Sequence, residues 1–269
     1  TTYRSTVMTE QRQVRPTTEG WQQKKDEQGR PVLEFEAKVR IKQPPVHLVD
    51  MTKEDALAKA KELGVPGFRV KQLANHYFSH YTNNPDQMTD LPSTGREELV
   101  SAFLPKLLTE VKRLKTDNGD TIKFLWRLFD GALVESVLMR YPGRITLCVS
   151  SQAGCGMNCP FCATGQAGLT RNMSAGEIVE QIVMANQVIA AGELGGKKDG
   201  EYEERVGNIV FMGMGEPLAN YNRLMQAVRT MVATDGLGMS ARNITVSTVG
   251  LVPAIQKLAE EQLPVTFAL

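Results

Sequence analysis

The residues able to do chemistry crowd into one short stretch. Cys155-Gly-Met-Asn-Cys159-Pro-Phe-Cys162 has C-x3-C-x2-C spacing, and the remaining cysteine, Cys148, lies just before it. Three thiolates on one tight loop can each ligate one iron of a [4Fe-4S] cluster, leaving the fourth iron open to another ligand. The alternative is a structural zinc site with Cys148 as fourth ligand, since structural zinc takes four N or S donors. His47, His76 and His80 lie far upstream, and the cysteines show no paired-knuckle spacing. Cysteines confined to one stretch are also not the disulfide framework of a secreted chain.

A second motif, Gly213-Met-Gly215-Glu216-Pro217, follows the apolar run Asn208-Ile-Val-Phe-Met. Leu218 stands where a dinucleotide fingerprint wants its third glycine, so a nucleotide-fold reading is poor. Glycines would let backbone approach a ligand while Glu216 offers a carboxylate to a cationic amine; the plainer alternative is a tight strand-to-helix turn. Ser247 ends a later strand, where an ordinary hydroxyl is common. Cys148 by itself reads as small apolar packing. Alternation in Leu133-Val-Glu-Ser-Val-Leu-Met puts Glu135 on one face with Leu133, Val137 and Met139. It is either a carboxylate of raised pKa among apolar neighbours or an edge-strand Glu reaching solvent. Lys106, Lys112, Arg113, Lys115, Lys123 and Arg127 outnumber nearby Glu110, Asp117 and Asp120, a local excess that suits either phosphates or a solvated face.

The elements that must position these groups fall into four stretches. Residues 1–45 are polar and charged and read as a mobile leader, with Val32-Leu-Glu-Phe as a short strand. Residues 46–113 read as a small helical domain: Thr52-Lys-Glu-Asp resembles a capping box, and further helices are expected at 70–81 and 96–108. Residues 114–143 form a β-strand connector, with strands at 121–128 and 133–139. From Arg144 strand and helix alternate. The strand 144–149 is followed by the capping box Ser174-Ala-Gly-Glu177 and a helix with Ile178, Ile182, Ala185 and Ile189 on one face, which ends in a loop at 192–205. Strands at 208–212, 243–247 and 265–269 then alternate with helices at 221–233 and 253–261. This predicts an α/β fold with a parallel sheet whose sites gather at the C-terminal strand ends.

Composition sets the outer limits. With 42% hydrophobic residues over 269 positions the chain can bury a real core. Lys plus Arg number 31 against 30 acidic residues, so any basic surface must be local. No apolar stretch approaches the roughly 20 residues of a membrane helix and no signal pattern opens the chain, which makes a cytoplasmic protein the default. The start at Thr1 and the stop at Leu269, after an apolar run, read as a chain cut mid-domain. Its sheet is then expected to end on an open apolar edge.

The cysteine motif, with Phe161 before its last Cys, resembles the radical S-adenosylmethionine (SAM) superfamily. Thr146-Leu-Cys148-Val-Ser-Ser-Gln-Ala-Gly-Cys155, Phe161-Cys-Ala-Thr-Gly-Gln and Phe211-Met-Gly-Met-Gly-Glu-Pro-Leu narrow the resemblance to the dual-specificity 23S rRNA and tRNA adenine C2-methyltransferases, from about Leu48 to Leu269. Ala153 and Pro217 favour that group over its C8-methylating relatives. The resemblance implies a partial (βα) radical SAM barrel preceded by a small helical domain and a short β-strand segment. It implies a [4Fe-4S] cluster on Cys155, Cys159 and Cys162, and SAM held by Gly215, Glu216 and Ser247. It also implies Glu135 as proton acceptor, and Cys148 in a transient disulfide with a methyl-carrying cysteine, though no cysteine follows Cys162. The implied partners are 23S rRNA, tRNA and an electron donor such as flavodoxin, met by a monomer without a membrane. Methyl transfer is not expected of residues 1–269 alone. Two alternatives stay open: the C8-methylating relative, and a non-catalytic metal-binding RNA module.

Overall fold

The computed structural model describes residues 43–166, 168–195 and 204–269. The expected leader up to residue 42, the strand expected at 32–35 and residues 196–203 of the expected loop lie outside the described residues.

The chain enters through a 3-10 turn, Leu48–Asp50, and helix α1, Lys53–Glu62. The expected capping box forms there: Asp55 N–H donates to the Thr52 hydroxyl, and the Asp55 carboxylate accepts from Thr52. Helices α2, Phe68–Ser79, and α3, Arg96–Phe103, follow. Helix α3 stops five residues before the expected end, and Leu108–Thr116 is strand β1 instead of helix. Pro105 explains the stop, because the residue before a proline is pushed out of the helical region. A ladder with β2, Thr121–Leu128, then overrides the helical propensity of Glu-Val-Lys-Arg-Leu-Lys.

Strands β3, Leu133–Tyr141, and β4, Arg144–Cys148, continue the antiparallel pairing. After a small hairpin, β5, Gln152–Gly154, and β6, Leu169–Asn172, with the short helix α4, Ala163–Gln166, between them, comes α5, Ala175–Ala190. The rest alternates: β7, Asn208–Phe211, α6, Tyr221–Val232, β8, Ile244–Ser247, α7, Val252–Glu260, and β9, Thr266–Ala268. The larger sheet runs β1-β2-β3-β4-β7-β8-β9, antiparallel up to β4 and parallel beyond it. The α/β class is therefore as expected, but the two connector strands, β2 and β3, belong to the same continuous seven-stranded sheet. Strand β9 stands at its edge.

Helix α5 departs from the amphipathic expectation. Its capping box forms at Ser174 and Glu177, yet almost the whole helix is buried, packed against α6, β1 and the first 3-10 turn. Its polar residues hold backbone instead of facing water. Glu180 accepts from Leu107 N–H at 2.9 Å, Gln181 clasps both backbone groups of Ser150, and Asn186 accepts from Val206 N–H. Gln181 and Asn186 enter the core with these bonds made, whereas Glu180 Oε1 has no hydrogen-bond partner among the described residues, so burial of that carboxyl is costly.

Candidate active site

The cysteine loop is an excursion between the two strands of the β5–β6 hairpin. Its neck is narrow: Cys155 N–H donates to the Gly168 carbonyl at 2.9 Å. Gly154 has φ +78°, and a Cβ there would stand 2.0 Å from the Gly168 oxygen, so that position needs glycine. The motif lies in the loop, with Cys162 immediately before α4. The N–H of Gly165, and next the N–H and hydroxyl of Thr164, favour the Cys162 thiolate and hold its pKa below the usual thiol range against the effect of burial. All four cysteines are free. Among the described residues no three His, Cys, Asp or Glu side chains are gathered around a metal position. The fit for an iron–sulfur group therefore rests on donor chemistry: three thiols on one loop, one already turned toward the thiolate form.

The loop after β7 is built against the exit of β4. A Cβ on Gly213 would meet the Val149 carbonyl oxygen at 2.6 Å, and one on Gly215, at φ +102°, would meet Gln152 Cβ at 2.5 Å. Both glycines are thus required by backbone contact. Ser151 N–H donates to the Met214 carbonyl at 2.9 Å, and Met214 N–H donates to Ser150 Oγ at 2.9 Å. Glu216 is 3% exposed. One of its carboxylate oxygens accepts from Leu218 N–H and the other from Val249 N–H, both at 2.9 Å, which ties the loop after β7 to the loop after β8. Each oxygen keeps a second lone pair for a ligand donor. At the end of β8, Ser247 Oγ donates to the Phe211 carbonyl at 2.5 Å.

Strand β3 lies between β2 and β4, which excludes the edge-strand alternative for Glu135. Nor is Glu135 enclosed by apolar side chains: it sits on the more open face of β3, 2.8 Å from Lys123 Nζ. Cys148 pairs with Val137 in register, so alternation puts Glu135 and Cys148 on the same face, two residues apart along β3. Burial pushes the Cys148 thiol up, partly offset by the N–H of Met212.

Four further residues hold these loops together. Gln152, 1% exposed, accepts from Glu216 N–H at 2.8 Å and donates to Asn172 Oδ1 at 2.7 Å, linking the Glu216 loop to the cysteine hairpin. Asn220 donates to the carbonyls of Ser151 and Met173, both at 2.9 Å. Gln181 clasps Ser150 from α5. Arg171, on β6, is paired with Asp130 at 2.6 Å and Glu177 at 2.7 Å, and these partners raise its pKa despite burial. A polar run beside a strand end was the one signal available for Gln152.

No family model matches the chain. Over 230 residues, 85% of this chain, it is 61% identical to a probable dual-specificity RNA methyltransferase RlmN of Nocardioides sp., and spans 60% of that protein. Over 227 residues it is 60% identical to a protein of the same name from Bifidobacterium longum, covering 84% of this chain and 57% of the relative. Among solved structures it is similar to a radical SAM methyltransferase from Sphaerobacter thermophilus, with a TM-score of 0.74 and 42% identity over 83% of this chain and 62% of that one. The chain thus spans about three fifths of the length of these relatives.

Proposed function

Since the chain belongs to the radical SAM methyltransferase family, we propose that it forms the part of an RNA methyltransferase that holds an iron–sulfur cluster and SAM for methylation of adenine C2 in 23S rRNA and tRNA. The observation that carries this reading is the meeting of three loops, after β4, β7 and β8, through Gly213, Gly215, Glu216 and Val249. Ligands bind in such crevices at the C-terminal ends of parallel strands.

In this reading Cys155, Cys159 and Cys162 hold the cluster, while Gly215, Glu216 and Ser247 hold SAM. When bound, these groups supply a 5′-deoxyadenosyl radical, which suits an aromatic C2–H carbon too poor a nucleophile for polar methyl transfer. Glu216 offers its remaining lone pairs to the α-amino group of SAM. Gly213 and Gly215 keep the backbone close against β4. Glu135, 2.8 Å from Lys123 Nζ, accepts the proton leaving adenine C2. Cys148, once deprotonated, attacks the sulfur of the cysteine, in the rest of the protein, whose methylene is joined to adenine C2: the S–S bond forms as the sulfur–methylene bond breaks, and the electron pair left on the methylene takes a proton to give the methyl group. The cell compartment in this reading is the cytoplasm, with a flavodoxin-type protein as electron donor and a monomer as the working form.

The test is anaerobic reconstitution with iron and sulfide, then mass spectrometry of adenosines from RNA of cells lacking and regaining the gene. About four irons per chain and C2-methyladenosine that returns with the gene are expected. Stoichiometric zinc, or C8-methyladenosine in its place, refutes the reading.

A further inference from the structure

The antiparallel half of the sheet has one covered and one open face. Ile122, Phe124, Trp126 and Leu128 on β2 are buried on the covered side, while Lys123 and Arg127 between them are exposed. Register extends this division to the neighbouring strands. Lys112 pairs with Leu125 and lies on the open side, whereas Arg113 pairs with Phe124 and Lys115 with Ile122 on the covered side. There Arg113 is paired with Glu110 and Glu193, and Lys115 stands 3.6 Å from Glu193. Two members of the basic cluster are thereby neutralised and turned away. Among the described residues no ion pair holds Lys112 or Arg127.

The open face leads to the reactive end of β4. Lys123, Val137 and Cys148 form one row across β2, β3 and β4, so Lys123 stands two strand spacings, about 10 Å, from Cys148. Farther along β3 on the same face, Tyr141 is 40% exposed, and the Arg144 guanidinium lies 5.2 Å from its ring centroid. Around Cys148 the face thus carries Lys112, Lys123, Arg127 and Arg144 against Glu135, with an exposed aromatic ring. Free cations meet phosphates, and a Tyr or Arg plane stacks an unpaired base.

We propose that this open face of β1–β3 is the surface on which RNA lies as it delivers adenine to Cys148. Lys112 and Arg127 meet phosphates, Tyr141 and Arg144 stack a base, Lys123 stays paired with Glu135, and Arg113 and Lys115 take no part. This rests on the RNA reading of the function. The charge argues for a polyanion, and the ring for one that carries bases.

The experiment uses residues 1–269, a fluorescein-labelled RNA hairpin with adenine in its loop, and anisotropy titrations across a range of KCl concentrations. Lys112→Gln and Arg127→Gln should each weaken binding about four- to six-fold near 0.15 M salt and flatten the slope of log K against log salt by about 0.7–0.9. Tyr141→Ala should weaken binding about five-fold or more with the slope unchanged. Arg113→Gln and Lys115→Gln should bind as the parent does. Parent-like binding by the open-face variants, or equal losses from the covered-side variants, overturns the proposal and leaves the RNA reading standing; the open face then belongs to another partner, such as an acidic protein. A parent chain that binds no RNA at low salt overturns both.

Discussion

Replacing Glu180 by Gln should change how stability depends on pH more than stability itself at acid pH. Glu180 is 1% exposed, and burial pushes its carboxyl up from 4.5 to about 8. Between those values the folded chain keeps a proton that the unfolded chain has lost, so stability falls as pH rises through the window. At about 1.4 kcal/mol per pH unit, the rise from 4.5 to about 8 corresponds to about 5 kcal/mol. His47 acts with the opposite sign. Burial lowers its pKa from 6.5 to about 3, so the folded chain refuses a proton that the unfolded chain accepts, and stability is lost as pH falls from 6.5. The two slopes cancel between pH 4.5 and 6.5 and leave a plateau there. Glutamine keeps an acceptor for Leu107 N–H and cannot ionise. The parent should therefore lose about 2 kcal/mol relative to Glu180→Gln between pH 6.5 and 8, measured by urea unfolding followed through tryptophan fluorescence. Parallel pH profiles for the two proteins across that interval would refute the reasoning.

Four further expectations concern the site. Gly154→Ala should cost about 1–3 kcal/mol from its left-handed backbone alone, and the clash with Gly168 should widen the loop neck, read as loss of bound iron after reconstitution. Gln152→Leu should strand the Glu216 N–H at about 1–3 kcal/mol and weaken SAM binding in equilibrium dialysis, while iron content holds; unchanged SAM affinity would make the amide mere packing. Replacing any one of Cys155, Cys159 or Cys162 by Ala should abolish reductive SAM cleavage, and full cleavage by the triple variant would remove these residues as ligands. In the complete protein, Cys148→Ala should retain its cluster and trap a covalent protein–RNA species on denaturing gels, whereas normal turnover would reduce Cys148 to a packing residue.

What the sequence discloses depends on whether a signal is local. Thr52 with Asp55 and Ser174 with Glu177 lie three residues apart, so both helix starts are legible without any tertiary information. The alternation of β2 is legible for the same reason. Strand β1 is not, because its identity comes from the ladder to β2, and its charged residues resemble a helix surface. Strands β5 and β6 are too short to leave a pattern. At the site, cysteine spacing announces itself, whereas Gln152, Gln181 and Asn220 look like solvated polar residues until their backbone partners, 31 to 69 residues away, are known. Alternation alone places Glu135 on the face of Leu133, Val137 and Met139, but its partner Lys123 follows only from the register between β2 and β3.

The narrow neck of the cysteine loop bears on the order of assembly. Because Cys155 and Gly168 are joined by a backbone hydrogen bond, the entropy of closing the loop is already lost when β5 pairs with β6, before any iron arrives. The three cysteines thus lie within one closed ring of chain whose opening does not require the seven-stranded sheet to break. Iron and sulfide can then enter a folded apoprotein as the last step of maturation. The same independence makes the loop the first region to exchange amide hydrogens and the first to be cut by a protease when iron is withheld, while the strands around it stay protected.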